Sequence, residues 1–405
     1  MTAAVRTLLF STLYPSSARP LHGVFVETRL RELLKTGAVQ SRVLAPVPWF
    51  WSTDARWGAY ATLAQTPARE LRNGVDVVHP RYALPPKVGM TVAPFTLALA
   101  CLPAVRRIID EGFDFDLIDA HYYYPDGVAA ALLARWFRKP LAVTARGSDL
   151  NLLRHFALPR AMMRWTARRA EASIGVSRAL VDVLREWRID PARLHVMRNG
   201  IDLERFAPEP QAAAQAALGV AGSPLLLSVG NLIELKGHHL IIDALPAVLA
   251  RHPQARLVIV GQGPEHAALQ ARANALGLAD HVTLTGALPN TALARWYSAA
   301  DALILASSRE GWANVLLEAR ACGTPVVATR VGGTPEVVLP QSGGVLVDSR
   351  DAAGLASGVL RLLATPPDRA QVRTFAEGFG WAQTSSDQLA LFRRLATQSK
   401  GLPRA

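Results

Sequence analysis

Short, nearly unbroken apolar runs alternate with helical patterns along the whole of this 405-residue chain, and that alternation constrains its fold more than any other feature. In the first half the runs are Thr7–Phe10, Arg42–Ala45, Val75–His79, Leu117–Ala120, Leu141–Thr144, Ala172–Val176 and Leu194–Val196. In the second they are Leu225–Val229, Leu257–Val260, Val282–Thr285, Ala302–Leu305, Val326–Ala328 and Val345–Val347. A strand apolar on both faces must be covered on both faces, as in a parallel sheet with helices above and below. Helical spacing recurs between the runs, at Val24–Lys35, Val128–Phe137, His239–Ala250, Glu265–Leu276 and Leu355–Leu363. The predicted class is α/β, with doubly wound parallel sheets.

The pattern breaks once. Ala207-Pro208-Glu209-Pro210-Gln211-Ala212-Ala213-Ala214 is rich in Pro and Ala, and the strands restart at Leu225. Two Rossmann-like domains of similar size are predicted, residues 1–206 and 207–380, with residues 381–405 forming a last helix that packs back on the first domain. Such sheets bind ligands at the carboxyl ends of their strands, so two of them facing a central cleft would place a ligand there.

Composition removes several classes. Half the residues are apolar and 19% are charged, which excludes a disordered or collagen-like chain. Cys101 and Cys322 alone build neither a disulfide framework nor a cysteine-rich zinc site, and they point to a reducing compartment. Met1–Phe10 carries one Arg and too short an apolar run for a secretory signal. Val88–Val105 is uncharged over 18 residues, the lower limit for a membrane span, but Gly89, Thr91, Pro94, Thr96 and Pro103 favour a buried or membrane-grazing helix. The net charge of +12 is uneven: residues 1–205 hold 28 Lys and Arg against 18 Asp and Glu, and residues 206–405 hold 16 against 14. A basic first half fits an anionic partner as well as it fits a solvated arginine surface. No nucleic-acid-binding motif is present, so a membrane or a phosphorylated substrate remains.

Three segments of the second half carry chemistry. In Ser307-Ser308-Arg309-Glu310-Gly311-Trp312-Ala313-Asn314-Val315-Leu316-Leu317-Glu318, a strand leads through a glycine loop into a helix beginning near Asn314. A helix N-terminus offers free N–H groups and partial positive charge to a diphosphate. Carboxylates beside such a site accept hydrogen bonds from hydroxyls, so of Glu310 and Glu318 one suits a donor sugar and the other a ribose. A glycosidase carboxylate pair is the competing reading, and two ordinary glutamates the plain one. In Val229-Gly230-Asn231-Leu232-Ile233-Glu234-Leu235-Lys236-Gly237, Lys236 is a point charge placed to neutralise a diphosphate. In Val260-Gly261-Gln262-Gly263-Pro264, the glycines let backbone approach a ligand, but the third glycine of a dinucleotide fingerprint is missing. Thr285-Gly286-Ala287-Leu288 presents backbone to a base.

These segments, with His22-Gly23-Val24-Phe25, Asp119-Ala120-His121, Thr144-Ala145-Arg146-Gly147-Ser148-Asp149, Arg198-Asn199-Gly200-Ile201-Asp202, Ala321-Cys322-Gly323-Thr324-Pro325 and Gly332-Gly333-Thr334-Pro335-Glu336, give the chain an end-to-end resemblance to family-4 glycosyltransferases of the GT-B fold. The resemblance implies retaining transfer of a sugar from a nucleotide-diphosphate sugar, usually without a metal or other cofactor. It implies that Lys236 and the amides near Val315 and Leu316 hold the diphosphate, with Glu310 on the donor sugar, Glu318 on the ribose and Gly23 keeping the first loop close. Gly230, Asn231, Gly261, Leu288, Gly311 and Asn314 complete the donor set.

Two positions depart from the family pattern. Asn231 stands where the family commonly has Arg, and Arg146 or Arg309 could replace that cation. Arg146 stands where a His is common; an arginine stays charged and cannot serve as a base, so an electrostatic role on the donor or on an anionic acceptor is expected, with a plain pairing to Asp149 the alternative. His121, at a strand end, either orients an acceptor hydroxyl or is a satisfied structural histidine. Asp114-Phe115-Asp116 looks like a polar strand entry, and no metal is expected there.

The expected partners are a nucleotide-sugar donor, a glycan or lipid-linked acceptor, and an anionic membrane met from the cytoplasmic side. Two segments suit that contact: the aromatic loop Pro48-Trp49-Phe50-Trp51 with Trp57, and Arg160, Arg164, Arg168 and Arg169 around Met162, Met163 and Trp165. A GT-B nucleotide-sugar epimerase and an inactive sugar-nucleotide-binding protein are the alternatives to a transferase. A nicotinamide dehydrogenase fits less well, because its fingerprint is incomplete.

Overall fold

The computed structural model describes residues 4–220 and 223–400. Residues 1–3, part of the segment read for a signal, and residues 401–405 of the last predicted helix lie outside the described residues. The chain divides into two compact units, Met1–Asn199 with Ala382–Ala405, and Gly200–Trp381. The division thus falls before the expected residue 206, because residues 200–206 are tied to the second unit. There the Ile201 N–H donates to Phe379 O at 2.9 Å, and the Arg373 guanidinium donates to Phe206 O at 2.6 Å and Leu203 O at 3.2 Å.

The strands are β1 Val5–Phe10, β2 Val39–Leu44, β3 Val47–Pro48, β4 Arg69–Arg72, β5 Val75–Val78, β6 Arg81–Tyr82, β7 Leu117–His121, β8 Leu141–Ala145, β9 Ala172–Gly175 and β10 Leu194–Val196 in the first unit. The second unit holds β11 Leu225–Val229, β12 Arg256–Val260, β13 Val282–Gly286, β14 Ala302–Leu305, β15 Val326–Thr329 and β16 Gly344–Val347. The first sheet runs β10-β9-β8-β7-β1-β2-β5-β4 and is parallel except at β4. The second runs β13-β12-β11-β14-β15-β16 and is parallel throughout. β3 and β6 pair as a separate ribbon.

Each sheet reverses its order beside its first strand, between β1 and β7 and between β11 and β14. At such a switch point two neighbouring loops leave in opposite directions and open a crevice at the carboxyl ends. The strands on either side expose no residue: β1 and β7 in the first sheet, β11 and β14 in the second. The second sheet's core joins Leu226, Ile259 and Ile304 to Ile241, Leu245 and Val359 of the helices His238–Leu249 and Ala352–Ala364. In the first unit Leu391, Phe392 and Leu395 of the helix Trp381–Lys400 share a core with Val5, Leu117 and Ile174.

The uncharged stretch beginning at Val88 is a helix, Gly89–Asp110, long and apolar enough to cross a membrane. Its buried residues, among them Ala93, Leu97, Cys101, Val105 and Ile108, recur every three or four positions. That spacing puts one stripe of the helix against the unit's core and leaves the rest outside.

Candidate functional site

In the second unit the loops after β11 and β14 meet at the switch point. Gly237 there has φ +68°, and a Cβ on it would stand 2.3 Å from Ala306 O, so only glycine lets the Lys236 turn lie against the β14 loop. A Cβ at Gly230 would sit 3.6 Å from the Lys236 side chain, which therefore runs over the glycine at the strand end. The Lys236 ammonium reaches Glu310 Oε1 at 2.6 Å, and the Ser307 hydroxyl donates to the same oxygen at 2.7 Å. Behind Glu310, a Cβ on Gly332 would fall 1.8 Å from Glu310 O. The β15 loop thus presses on the glutamate's own backbone and fixes its place.

The β14 loop delivers the chain into the helix Asn314–Ala321, whose first turn has no side-chain cap. Its Asn314 and Leu316 N–H groups donate to Trp312 O and Ala313 O at 3.1 Å, which leaves the Val315 N–H to share a positive corner with the Lys236 ammonium, with the Glu310 carboxylate beside it. Gly261 closes the other wall, where a Cβ would lie 1.8 Å from Gly230 O. Gly311 is buried, Leu288 and Asn314 are half-buried, and Asn231 is exposed. Asn231 gives its carbonyl to the ring of His238 at 3.3 Å. Arg309, next to Glu310, has an Nε without a hydrogen-bond partner among the described residues, and it shares a loop with the site. Arg146, the other candidate for the missing cation, belongs to the first unit.

Glu318 follows in the same helix. Tyr297, on the helix Asn290–Ala299, donates its hydroxyl to Glu318 Oε2 at 2.8 Å, and burial raises the carboxyl's pKa. Its other oxygen, Oε1, accepts no hydrogen bond among the described residues. If Glu318 accepts from a ribose hydroxyl, Glu318→Gln is expected to raise KM for the donor about tenfold to a hundredfold with a smaller change in kcat, since one charge-assisted bond to ground state and transition state alike would be lost. Steady-state kinetics with varied donor checks this, and an unchanged KM counts against the ribose role.

In the first unit the loops after β1, β7 and β8 gather polar groups. His121 is 1% exposed. Its Nε2 faces Asp119 Oδ2 at 3.2 Å, and its Nδ1 meets Arg146 Nη2. Burial holds the imidazole down to about 4, so it is neutral near pH 7, with its proton on Nε2 toward Asp119 and a lone pair on Nδ1 for the arginine. Both ring nitrogens are thereby engaged, and His121 is a positioning residue for Arg146. The Arg146 guanidinium also donates to Asn199 Oδ1 at 2.9 Å and lies 5.4 Å from the Phe25 ring centroid. Its pairing with Asp149 is not formed. That carboxylate accepts the backbone N–H groups of Tyr123 at 2.9 Å, Gly147 at 2.8 Å and Arg146 at 3.2 Å. Gln388 of the last helix joins the set, accepting from Arg29 Nε at 2.8 Å and donating to Asp119 Oδ2 at 3.4 Å.

Gly23 ends the β1 loop with φ +58°, and a Cβ there would stand 1.8 Å from Leu13 O. The same loop is held from below by Asp126, which accepts from the Thr12 N–H at 2.8 Å and the Thr12 hydroxyl at 2.9 Å. Burial pushes the Asp126 carboxyl up to about 7, above its ordinary value of about 3.9. The folded chain then keeps a proton that the unfolded chain releases, so this group's stabilisation is full near pH 4 and fades as pH rises through 7. Asp126→Asn keeps the neutral shape. Its melting temperature relative to wild type is expected to improve by roughly 10 °C between pH 4.5 and 7.5. A difference that does not change with pH contradicts the assignment.

The remaining motifs have ordinary partners. Asp116 Oδ2 accepts the Arg6 N–H at 2.9 Å, and Asp114 pairs with Lys139. Phe50 stacks on Trp51 and Tyr60, Trp57 meets Phe50 and Trp51 edge-on and Trp49 is tilted against Trp51, with Trp49, Trp51, Trp57 and Tyr60 all exposed. On the helix Ala157–Arg169, Met163 is buried while Arg160, Arg164 and Arg168 are exposed. Met163 serves the core, whereas Leu158 on this helix and Phe156 at its cap are exposed. Sequence reasoning assigned no role to Asn199, Ser307, Tyr297 or Gln388. Asn199 and Ser307 do lie within motifs of the family pattern, whereas Gln388 gives no signal at all.

A family model described as "Glycosyl transferases group 1" matches residues 212–378, and one described as "Glycosyltransferase Family 4" matches residues 63–205. The D-inositol 3-phosphate glycosyltransferase of Frankia alni is 34% identical over 306 residues, which cover 69% of this chain and 74% of that protein. The chain belongs to glycosyltransferase family 4. A D-inositol 3-phosphate glycosyltransferase of Segniliparus rotundus is 39% identical over 213 residues; that match spans half of this family-4 chain and 47% of the relative. Among solved structures, sucrose-phosphate synthase from Thermosynechococcus elongatus superposes with a TM-score of 0.76 at 23% identity, over 98% of this chain and 100% of that one. Anabaena HepE in complex with UDP gives 0.73 at 22% identity, over 96% and 100%. The fold of this family-4 chain is GT-B.

Proposed function

We propose that this family-4 chain moves a sugar, with retention of configuration, from a nucleotide-diphosphate sugar to a glycan or lipid-linked acceptor in the assembly of bacterial surface polysaccharide or glycolipid. The observation that carries the reading is the Lys236–Glu310 pair, 2.6 Å apart beside an uncapped helix N-terminus. A cation and N–H donors suit the diphosphate, and the adjoining carboxylate suits sugar hydroxyls.

In this reading the acceptor oxygen attacks the anomeric carbon on the face from which the diphosphate leaves. The new C–O bond forms as the old one breaks, and the acceptor proton passes to the departing phosphate oxygen. Lys236 and the Val315 amide stabilise the charge growing on the leaving group, the Leu316 amide being given to Ala313 O. Arg309 supplies the cation that Asn231 lacks. Glu318 holds the ribose, Leu288 lies toward the base, and charge neutralisation falls to these groups rather than to a metal or other cofactor. Arg146, fixed by His121 and Asn199, faces an anionic group of the acceptor, and the D-inositol 3-phosphate in the relatives' names supports a phosphate-bearing one. The chain works in the cytoplasm, with its first unit against an anionic membrane.

The test is incubation of the purified chain with UDP-, GDP-, ADP- and dTDP-sugars and with phosphorylated and unphosphorylated polyol acceptors. Acceptor-dependent release of nucleoside diphosphate is expected, with the product's anomeric configuration unchanged by NMR. An inverted product, acceptor-free epimerisation or no turnover with any pair would overturn it.

A further inference from the structure

The helix Gly89–Asp110 has an outward face that the site does not use. At 100° per residue, Val88, Phe95, Leu99 and Arg106 fall within about 40° of one another around the helix axis. Val88, Phe95 and Leu99 are 53%, 46% and 63% exposed, so this is an apolar stripe open to solvent, roughly 27 Å long to Arg106. At its far end the Arg106 guanidinium lies 5.9 Å from the ring of Trp136, itself 58% exposed on the neighbouring helix Val128–Phe137. Arg135 and Arg138 flank that ring in sequence and line a cavity of about 500 Å³, together with Lys139 and Arg169. Ala131, Ala134, Leu141 and Leu395 supply apolar lining, and Glu171 is the sole carboxylate among the described lining residues. Arg138 ends its helix with φ 53°, a backbone position that helices usually give to glycine.

This cavity lies at the amino end of β8, five residues from the carboxyl end that carries Arg146, so it is about 16 Å from the candidate site and separate from it. The apolar stripe ending beside Trp136 meets the demand of acyl chains, and the cationic, apolar-lined hollow on another side of the Trp136 helix meets that of a negative headgroup. A soluble sugar phosphate has no use for the exposed Phe95, Leu99 and Trp136. We infer that the outer face of the helix Gly89–Asp110 and the basic cavity beyond Trp136 form the membrane-docking surface of the first unit, and that an anionic phospholipid headgroup occupies the cavity. The inference rests on the membrane contact proposed for the first unit. It places that contact on this face, which takes in Arg169 of the helix Ala157–Arg169, rather than on the aromatic loop.

The experiment is co-sedimentation of the full chain with phosphatidylcholine vesicles, with and without phosphatidylglycerol. Wild type is expected to bind the anionic vesicles and not the neutral ones. The triple variant Arg106→Ala/Arg135→Ala/Arg169→Ala is expected to bind about a hundredfold more weakly, from three lost charges near the surface. Phe95→Ser/Leu99→Ser is expected to bind about tenfold more weakly. All these side chains are exposed, so the fold and transfer to a soluble acceptor should persist, which separates failure of this face from failure of the catalytic reading. Both variants binding like wild type would overturn the inference. So would loss of binding in Trp49→Ser/Trp51→Ser alone, inorganic phosphate binding as tightly as the vesicles, or a wild-type dimer that Phe95→Ser/Leu99→Ser dissociates.

Discussion

Glu310→Gln is expected to lower kcat/KM for sugar transfer by about a thousandfold while the melting temperature moves by no more than a few degrees. The carboxylate is partly buried and already holds the Ser307 hydroxyl and the Lys236 ammonium. Its backbone cannot shift to compensate, because Gly332 leaves no room behind it. If Glu310 grips sugar hydroxyls as positive charge grows on the anomeric carbon, its negative charge counts more in the transition state than in the ground state. Removing one such preorganised contact costs about 10²- to 10³-fold in rate. The amide keeps the shape and loses the charge, so the loss should appear mainly in kcat. Single-turnover kinetics on wild type and variant would measure it, and near-normal turnover would mean that Glu310 does not touch the reacting sugar.

Lys236→Met is expected to cost a comparable factor, about a hundredfold to a thousandfold in kcat, and to weaken binding of the free nucleoside diphosphate as well. The ammonium is a compact charge near the helix N-terminus, and both act on the same developing negative charge. Methionine keeps the stem over Gly230. It also leaves Glu310 without its ion-pair partner, so part of the effect will come from a displaced glutamate. The double variant Lys236→Met/Glu310→Gln tells the two apart. Residues that act as one unit lose less together than the product of their single losses. Fully multiplicative losses would show that the two side chains work independently, contrary to a joint role on the departing diphosphate and its sugar.

The periodicity of apolar runs was enough for the parallel sheets, because strands covered on both faces have little choice but to be apolar throughout; the break expected after residue 206 falls after Asn199 in the fold. β4 escaped that reading: Arg69-Glu70-Leu71-Arg72 is an antiparallel edge with polar side chains, and its pattern is that of a loop. Lys236, Glu310 and Glu318 were legible because glycine, strand end and helix start frame them within a few residues. Arg146 was legible as a charge, but its neighbours were not. Asn199 and Gln388 come from distant segments that only the folded sheet brings to His121 and Asp119, and no local spacing announces them. Asp126 carries no local signal of its role, since its work is to hold Thr12, more than a hundred residues earlier.

Amide hydrogen exchange of the whole chain, with and without saturating nucleoside diphosphate, probes the phosphate corner without relying on turnover. Slowed exchange is expected at residues 310–317 and 230–237, where the uncapped helix and the Lys236 turn would close on the phosphates. Protection confined to residues 1–199, or none in the second unit at saturation, would contradict diphosphate binding at that corner.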